Sequence, residues 1–417
     1  MKIGIDIRPL QTNQRFRGIG RYCYNMLRSL KDLDVKNEYF LFYGKGLGVP
    51  VKIIEEFDGN NFKIKPFLIP TGRHIEQFYF KDKIRIPLEV IRWHLDIFYV
   101  FDWPFPLVKL PKSKKYLVTM YGINPYPLDI NAVKDFTSKL LDREKYSFKK
   151  RLKTFLSDYN HNLYLKHLKK YVHYVSHFIV SSENSKNDLA KKFNVPLNNI
   201  TVVYEGIAQE VFKPIDDEVK KNIIKNKFSI KTPYILFVSA IDWKKNIINM
   251  FKAFKIASES FEIPHQLVLA GSYFKSSLQP SMQFILFNEI LKELTIYDKV
   301  IFSGYISDEE LVFLYNFAHT YILPSFYEGF PLTALEAMAC GTTVISSNTS
   351  SMPEILKEVC LYFNPMDIDS MAKAMIQACN DSISEKYRIG EGFKLVKNYT
   401  WENSARNVMN IFSKLRT

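Results

Sequence analysis

Cysteine is scarce in this chain of 417 residues, which has only Cys23, Cys340, Cys360 and Cys379. None forms a CxxC pair and each sits among apolar neighbours, a setting that favours structural thiols in a reducing compartment over disulfides or metal ligands. No uncharged apolar run reaches the roughly 18 residues of a spanning helix. The opening Met1-Lys2-Ile3-Gly4-Ile5-Asp6 carries acid at once, without a basic flank, apolar run and small-residue cleavage site, so no secretory signal is expected. The cytoplasm is the expected address. No internal repeat or low-complexity tract is visible. No His/Cys/Asp cluster has metal-ligand spacing, so no metal is expected. A full GxGxxG after a strand is also missing, which speaks against a nicotinamide dehydrogenase.

What is present fits an ordinary globular chain, with 47% hydrophobic and 24% charged residues. Its length exceeds what one core usually serves, and two domains follow. The net charge of +14 is unevenly placed: residues 1–233 carry 41 Lys/Arg against 24 Asp/Glu, while residues 234–417 carry 16 against 19. The densest basic stretch is 139–170, interleaved with Tyr146, Phe148, Phe155, Tyr159 and Tyr164. It reads either as a solvated helix face or as a surface for an anionic membrane. No nucleic-acid module accompanies it, so nucleic acid is not an expected partner.

Short apolar runs alternate with helical patterns, which predicts parallel sheets with crossover helices. Strands are expected at Ile3–Ile7, Tyr39–Tyr43, Phe62–Phe67, Ile97–Phe101, Tyr116–Met120, Phe178–Ser181 and Ile200–Val203. The pattern restarts at Tyr234–Ala240 and continues at His265–Ala270, Val300–Phe302, Thr320–Leu323 and Thr343–Ser346. Helices are expected over Gly20–Leu30, near 246–260 and over Trp401–Leu415, and Glu210–Lys231 reads as a linker. Two doubly wound α/β domains in tandem follow, with ligands expected at the carboxyl ends of their strands.

Three loops at such ends attract attention. Arg17-Gly18-Ile19-Gly20-Arg21-Tyr22 sets two glycines before a helix, which suits either a phosphate cradle or a plain turn. Asp242-Trp243-Lys244-Lys245-Asn246 offers lysines for a diphosphate, or simply a solvated loop. The third runs from Pro324 to Gly341 and holds Glu328 and Glu336 eight residues apart across a Gly-Phe-Pro turn. Thr333-x-x-Glu336 also fits a capping box, which is the structural alternative for Glu336. The spacing does not imply a hydrolase carboxylate pair.

Residues 324–341 resemble the E-x7-E signature of glycosyltransferase family 4, whose members are retaining enzymes of the GT-B fold. The similarity extends to Met1–Arg8, the Gly18–Tyr22 loop, Val180–Asp188, Val203-Tyr204-Glu205-Gly206, Lys244-Lys245-Asn246, Ser307–Leu311, Val344–Pro353 and Trp401-Glu402. It implies two Rossmann-like domains facing across a cleft. Residues 1–215 would bind the acceptor and 232–398 the nucleotide sugar, with 399–417 a helix packing back on the first domain.

The resemblance also assigns roles. Glu328 would contact the transferred sugar, and Glu336 the ribose. Gly18, Gly20, Lys244, Lys245 and the Phe330-Pro331-Leu332-Thr333 turn would hold the donor diphosphate. Gly304 and Tyr305 would line the base. A hexose, mannose from GDP-mannose in the first instance, would pass to a glycan or lipid-linked glycan, at the inner face of the cell membrane. Tyr121, a candidate catalytic residue with Glu328, stands where many members have a histidine facing the reacting sugar; its hydroxyl could hydrogen-bond a sugar oxygen, but a tyrosine is a poor base near neutral pH. This departure keeps open an alternative, a weak or inactive donor-binding subunit of a glycosyltransferase complex.

Overall fold

A computed structural model describes residues 1–12, 18–48, 50–68, 75–101, 108–121, 169, 172–239, 242–260, 263–271, 282–304 and 306–416. The basic stretch 139–170, except for Lys169, and Tyr305 therefore lie outside the described residues. The chain divides into two compact units: Met1–Gly206 with Thr400–Thr417, and Ile207–Tyr399.

The first unit holds β1 (Lys2–Asp6), β2 (Glu38–Tyr43), β3 (Phe62–Pro66), β4 (Ile97–Phe101), β5 (Lys115–Met120), β6 (His177–Val180) and β7 (Ile200–Val202). They form one parallel sheet in the order β3-β2-β1-β4-β5-β6-β7. A strand covered by helices on both faces reads as a continuous apolar run, and Ile97–Phe101 is buried at every position. The early acid of β1 is accounted for inside the unit: Arg8 Nε donates to Asp6 Oδ1 at 2.9 Å, and an Arg8 terminal nitrogen to Asp82 Oδ1 at 3.1 Å. The arginine and both carboxylates are buried.

The closing helix Trp401–Leu415 belongs to this first unit. Trp401, Ala405, Val408 and Phe412 recur on one helical face and enter its core beside Tyr22, Tyr99 and Phe101. Thr400 caps the helix, its hydroxyl accepting from the Asn403 amide at 3.2 Å. The chain passes so closely that a Cβ on Gly206 would stand 2.2 Å from the Trp401 backbone nitrogen. Only a residue without a side chain fits there.

The second unit holds β8 (Tyr234–Val238), β9 (Gln266–Ala270), β10 (Val300–Gly304), β11 (Thr320–Leu323), β12 (Thr343–Ser347) and β13 (Leu361–Phe363). Their order is β10-β9-β8-β11-β12-β13, again all parallel. Strand β13, three residues at the sheet edge, has no counterpart in the sequence expectations. The expected linker Glu210–Lys231 contains the helix Glu218–Phe228, and its Ile224 and Phe228 are buried in the core of the second unit. Its charges occupy the outer face, which is why the segment reads as a linker.

In both sheets the strand order reverses beside the first strand, between β1 and β4 and between β8 and β11. Such a switch point opens a crevice at the carboxyl ends of the two strands.

Candidate functional site

The β8/β11 switch point brings together two of the loops singled out from the sequence. After β8 the chain makes a 3-10 turn over Trp243–Lys245, closed by the Lys245 amide donating to the Asp242 carbonyl at 3.0 Å. Asn246 then takes a left-handed backbone, φ 54°, which asparagine tolerates better than most residues. Its buried side-chain amide donates to the Pro365 carbonyl at 2.8 Å. After β11 the second loop crosses the first, and the Phe326 amide donates to the Lys244 carbonyl at 2.8 Å.

This crossing places Lys245 against Glu328. Lys245 Nζ lies 2.6 Å from Glu328 Oε1, and Ser325 Oγ donates to the same oxygen at 2.6 Å. The backbone of Glu328 is held as well. Its amide donates to Ser350 Oγ at 3.2 Å, and its carbonyl accepts from Ser350 Oγ at 2.6 Å and Ser351 Oγ at 2.9 Å. Burial pushes the Glu328 carboxyl up, but the charges of Lys245 and Lys244 and the hydrogen bonds from Lys245 and Ser325 outweigh it. The group sits below its ordinary range and is ionised at neutral pH. Lys244 points to Asp242 instead, 4.0 Å between Nζ and Oδ2.

Glu336 lies deeper, 2% exposed. The capping-box reading fails for it. The helix Leu332–Ala339 starts at Leu332 with Pro331 as its cap, so Thr333 is already inside the helix and makes no cap hydrogen bond. The Thr333 hydroxyl instead accepts from Tyr321 at 2.8 Å, and Glu336 Oε2 accepts from the Tyr315 hydroxyl at 3.2 Å. The same Ser/Thr-x-x-Glu pattern at Ser307–Glu310 does form a capping box, because there the serine precedes the first helical residue. Thr333 sits two residues past the cap position that a box with Glu336 would require, whereas Ser307 occupies it.

In the turn between the two acids, Phe330 is a core residue packed edge-on to Tyr399, with ring centroids 5.7 Å apart. The Leu332 amide donates to the Phe330 carbonyl at 3.0 Å, and Pro331 has no amide to offer. At the end of β10, Gly304 has φ 75°, a conformation that favours glycine.

The remaining expected residues belong to the first unit. Gly18 and Gly20 lie in the first turn of the helix Gly18–Leu33 rather than in a loop before it. Neither has a left-handed backbone, and a Cβ on Gly18 would meet nothing within 4 Å, so the position is open rather than strained. Tyr121 follows β5 directly, its ring edge-on to Tyr22 with centroids 4.8 Å apart. Its hydroxyl is buried and has no hydrogen-bond partner among the described residues. Burial holds that phenol far above its ordinary range, with the charges of Tyr22 and Glu205 adding to the effect. It is no proton acceptor at neutral pH.

Two family models cover most of the sequence. The one described as "Glycosyl transferases group 1" matches residues 218–394, and the one described as "Glycosyltransferase Family 4" matches residues 16–211. The chain belongs to glycosyltransferase family 4. Among its relatives is the O-antigen chain mannosyltransferase B of Escherichia coli, 26% identical over 56% of this chain and 59% of its own length. The serotype-specific mannosyltransferase WbdA of Escherichia coli is 24% identical over 100% of this chain and 48% of its own length. The chain thus spans about half the length of these curated relatives. Sucrose-phosphate synthase from Thermosynechococcus elongatus superposes with a TM-score of 0.71 at 18% identity, covering 100% of this chain and 99% of the other. The family 4 chain has the GT-B fold, two Rossmann-like sheets and a closing helix that returns to the first unit.

Sequence reading had picked out Lys245, Glu328 and Glu336 but missed the residues that hold them. Ser325, Ser350, Ser351 and Tyr315 carry no motif of their own, since a hydroxyl acquires its role only from what the fold sets beside it. Among the described residues no group of three or more His, Cys, Asp or Glu could hold a metal ion, and no helix is long and apolar enough to cross a membrane.

Proposed function

We propose that this chain is a retaining glycosyltransferase that moves a hexose from a nucleotide sugar to a glycan or lipid-linked glycan. Mannose from GDP-mannose is the donor proposed, supported by the mannosyltransferase names of the relatives. The observation that carries the reading is the Lys245–Glu328 pair at the β8/β11 switch point, with Glu336 buried one helical turn into the segment that follows. In this reading Lys245 and Lys244 hold the diphosphate, helped by Gly18, Gly20 and the Phe330–Thr333 turn. Glu336 holds the ribose hydroxyls and Glu328 the sugar, while Gly304 and Tyr305 line the base.

The chemistry needs no metal in this scheme. The acceptor oxygen attacks the anomeric carbon on the face from which the diphosphate leaves. The carbon–phosphate oxygen bond breaks, and the leaving phosphate takes the acceptor's proton. Lysines and a helix N-terminus stabilise the negative charge that develops. Incubating the full chain with GDP-mannose, UDP-glucose and dTDP-sugars, and assaying release of the nucleoside diphosphate, tests the reading. Release from none of them counts against it.

The buried Tyr121 hydroxyl favours a second reading, a donor-binding chain that lacks turnover and serves a partner transferase. Tight donor binding by calorimetry with no release of diphosphate would select it. A cytoplasmic protein working at the inner membrane face is proposed from the basic stretch 139–170. Co-sedimentation with anionic vesicles that is lost as salt rises tests this, and absence of binding at low salt refutes it.

A further inference from the structure

We propose that the Lys245–Glu328 ion pair is a latch: a nucleoside diphosphate must draw Lys245 away from Glu328, so this carboxylate weakens the binding of diphosphate that carries no sugar. The inference rests on the reading of Lys245 as a diphosphate ligand.

The two partners are unequal. Glu328 is fixed at both ends, its Oε1 by Ser325 Oγ at 2.6 Å and its backbone by Ser350 and Ser351. Lys245 projects from a short turn on a flexible four-carbon stem, with three donors to redirect. The lysine is the member that moves. Its side chain is 19% exposed and that of Glu328 12%, so separating them takes from a largely enclosed carboxylate its nearest cation and leaves it the Ser325 hydrogen bond and the charge of Lys244. Breaking an enclosed pair by removing one partner costs far more than parting two exposed charges.

A sugar-bearing donor offsets that cost, because its hydroxyls can donate to Glu328 as the ammonium departs. A free diphosphate brings phosphate oxygens for Lys245 and no donor for Glu328. The latch therefore favours donor over product, and it returns Lys245 to Glu328 once the sugar has gone.

The experiment is calorimetry on the full chain with GDP and with UDP, each alone, and thermal melting as a check on folding. Glu328→Gln keeps the shape and removes the charge. It is expected to bind whichever diphosphate the wild type binds about tenfold more tightly. Taking any carboxylate from beside an anion also helps, so the same change is made in a Lys245→Ala background. There the gain is expected to shrink below about twofold. An equal gain in both backgrounds assigns the effect to the general field and overturns the latch. So does unchanged or weaker binding by a folded Glu328→Gln. Should Glu328→Gln not fold, Glu328→Asp withdraws the carboxylate by one methylene and is expected to gain about threefold, no gain again overturning the latch. Failure of every protein to bind either diphosphate at millimolar concentration sinks the nucleotide-sugar reading, and the latch with it.

Discussion

The Tyr315 hydroxyl donates to Glu336 Oε2 at 3.2 Å inside the second unit, linking the helix Asp308–Asn316 to the helix Leu332–Ala339. Tyr315 is fully buried. Tyr315→Phe keeps the ring and removes this bond, which to a carboxylate is worth about 1.5–3 kcal/mol. The expected result is a lower urea midpoint together with weaker nucleotide affinity. Loss of stability with unchanged affinity would detach Glu336 from the nucleotide.

Lys245→Ala removes the cation assigned to the diphosphate. A charge-assisted contact contributes about 1.5–3 kcal/mol, so diphosphate affinity measured by calorimetry should fall by roughly 10- to 100-fold. Glu328→Ala is expected to lose transfer while diphosphate binding is kept or tightened, since the carboxylate that competes for Lys245 is gone. Unchanged affinity in the Lys245 variant would show that the site lies elsewhere.

Transfer is expected to survive chelation, because lysines and amides are assigned the charge stabilisation that a metal would otherwise supply. Initial rates with and without EDTA check this. Complete loss that magnesium or manganese restores would refute the metal-free scheme.

His265 Nε2 and His319 Nδ1 are 2.9 Å apart, and His265 is 5% exposed. Burial first, then the charge of His319, lowers the His265 pKa to about 4. Its folded value therefore lies below its unfolded value near 6.5, and the unfolded chain binds the proton first as pH falls. Stability should be full above about pH 6.5 and decline towards pH 4, by roughly 3 kcal/mol for this group. Thermal melts across that range should show the loss, and His265→Asn should flatten it. A variant with the same slope as the wild type would rule out His265 as the source.

Gly206→Ala sets a methyl 2.2 Å from the Trp401 nitrogen, a backbone atom that cannot swing aside. Either strand end or closing helix must shift, at a cost of about 1–3 kcal/mol or more. Melting of the variant is expected at clearly lower temperature, with Trp401 fluorescence altered. A wild-type melt would mean that the close approach is relieved at no cost.

Much of this protein was legible in advance. The strands expected at Ile97–Phe101 and Thr320–Leu323 and the helix Trp401–Leu415 appear with those bounds, because buried parallel strands and an amphipathic helix write their period directly into the chain. The Glu328 and Glu336 segment was readable through its resemblance to the E-x7-E signature of the family. Tertiary structure alone decided the rest. Whether Ser/Thr-x-x-Glu caps a helix depends on where the helix starts: with Pro331 as cap it starts two residues too early for Thr333 and Glu336, while at 307–310 it starts just after the serine. That Lys245 meets Glu328, 83 residues away, follows from the strand order that sets β8 beside β11. Local period determines elements; long-range pairing determines which loops share a switch point, and no local pattern encodes that distance.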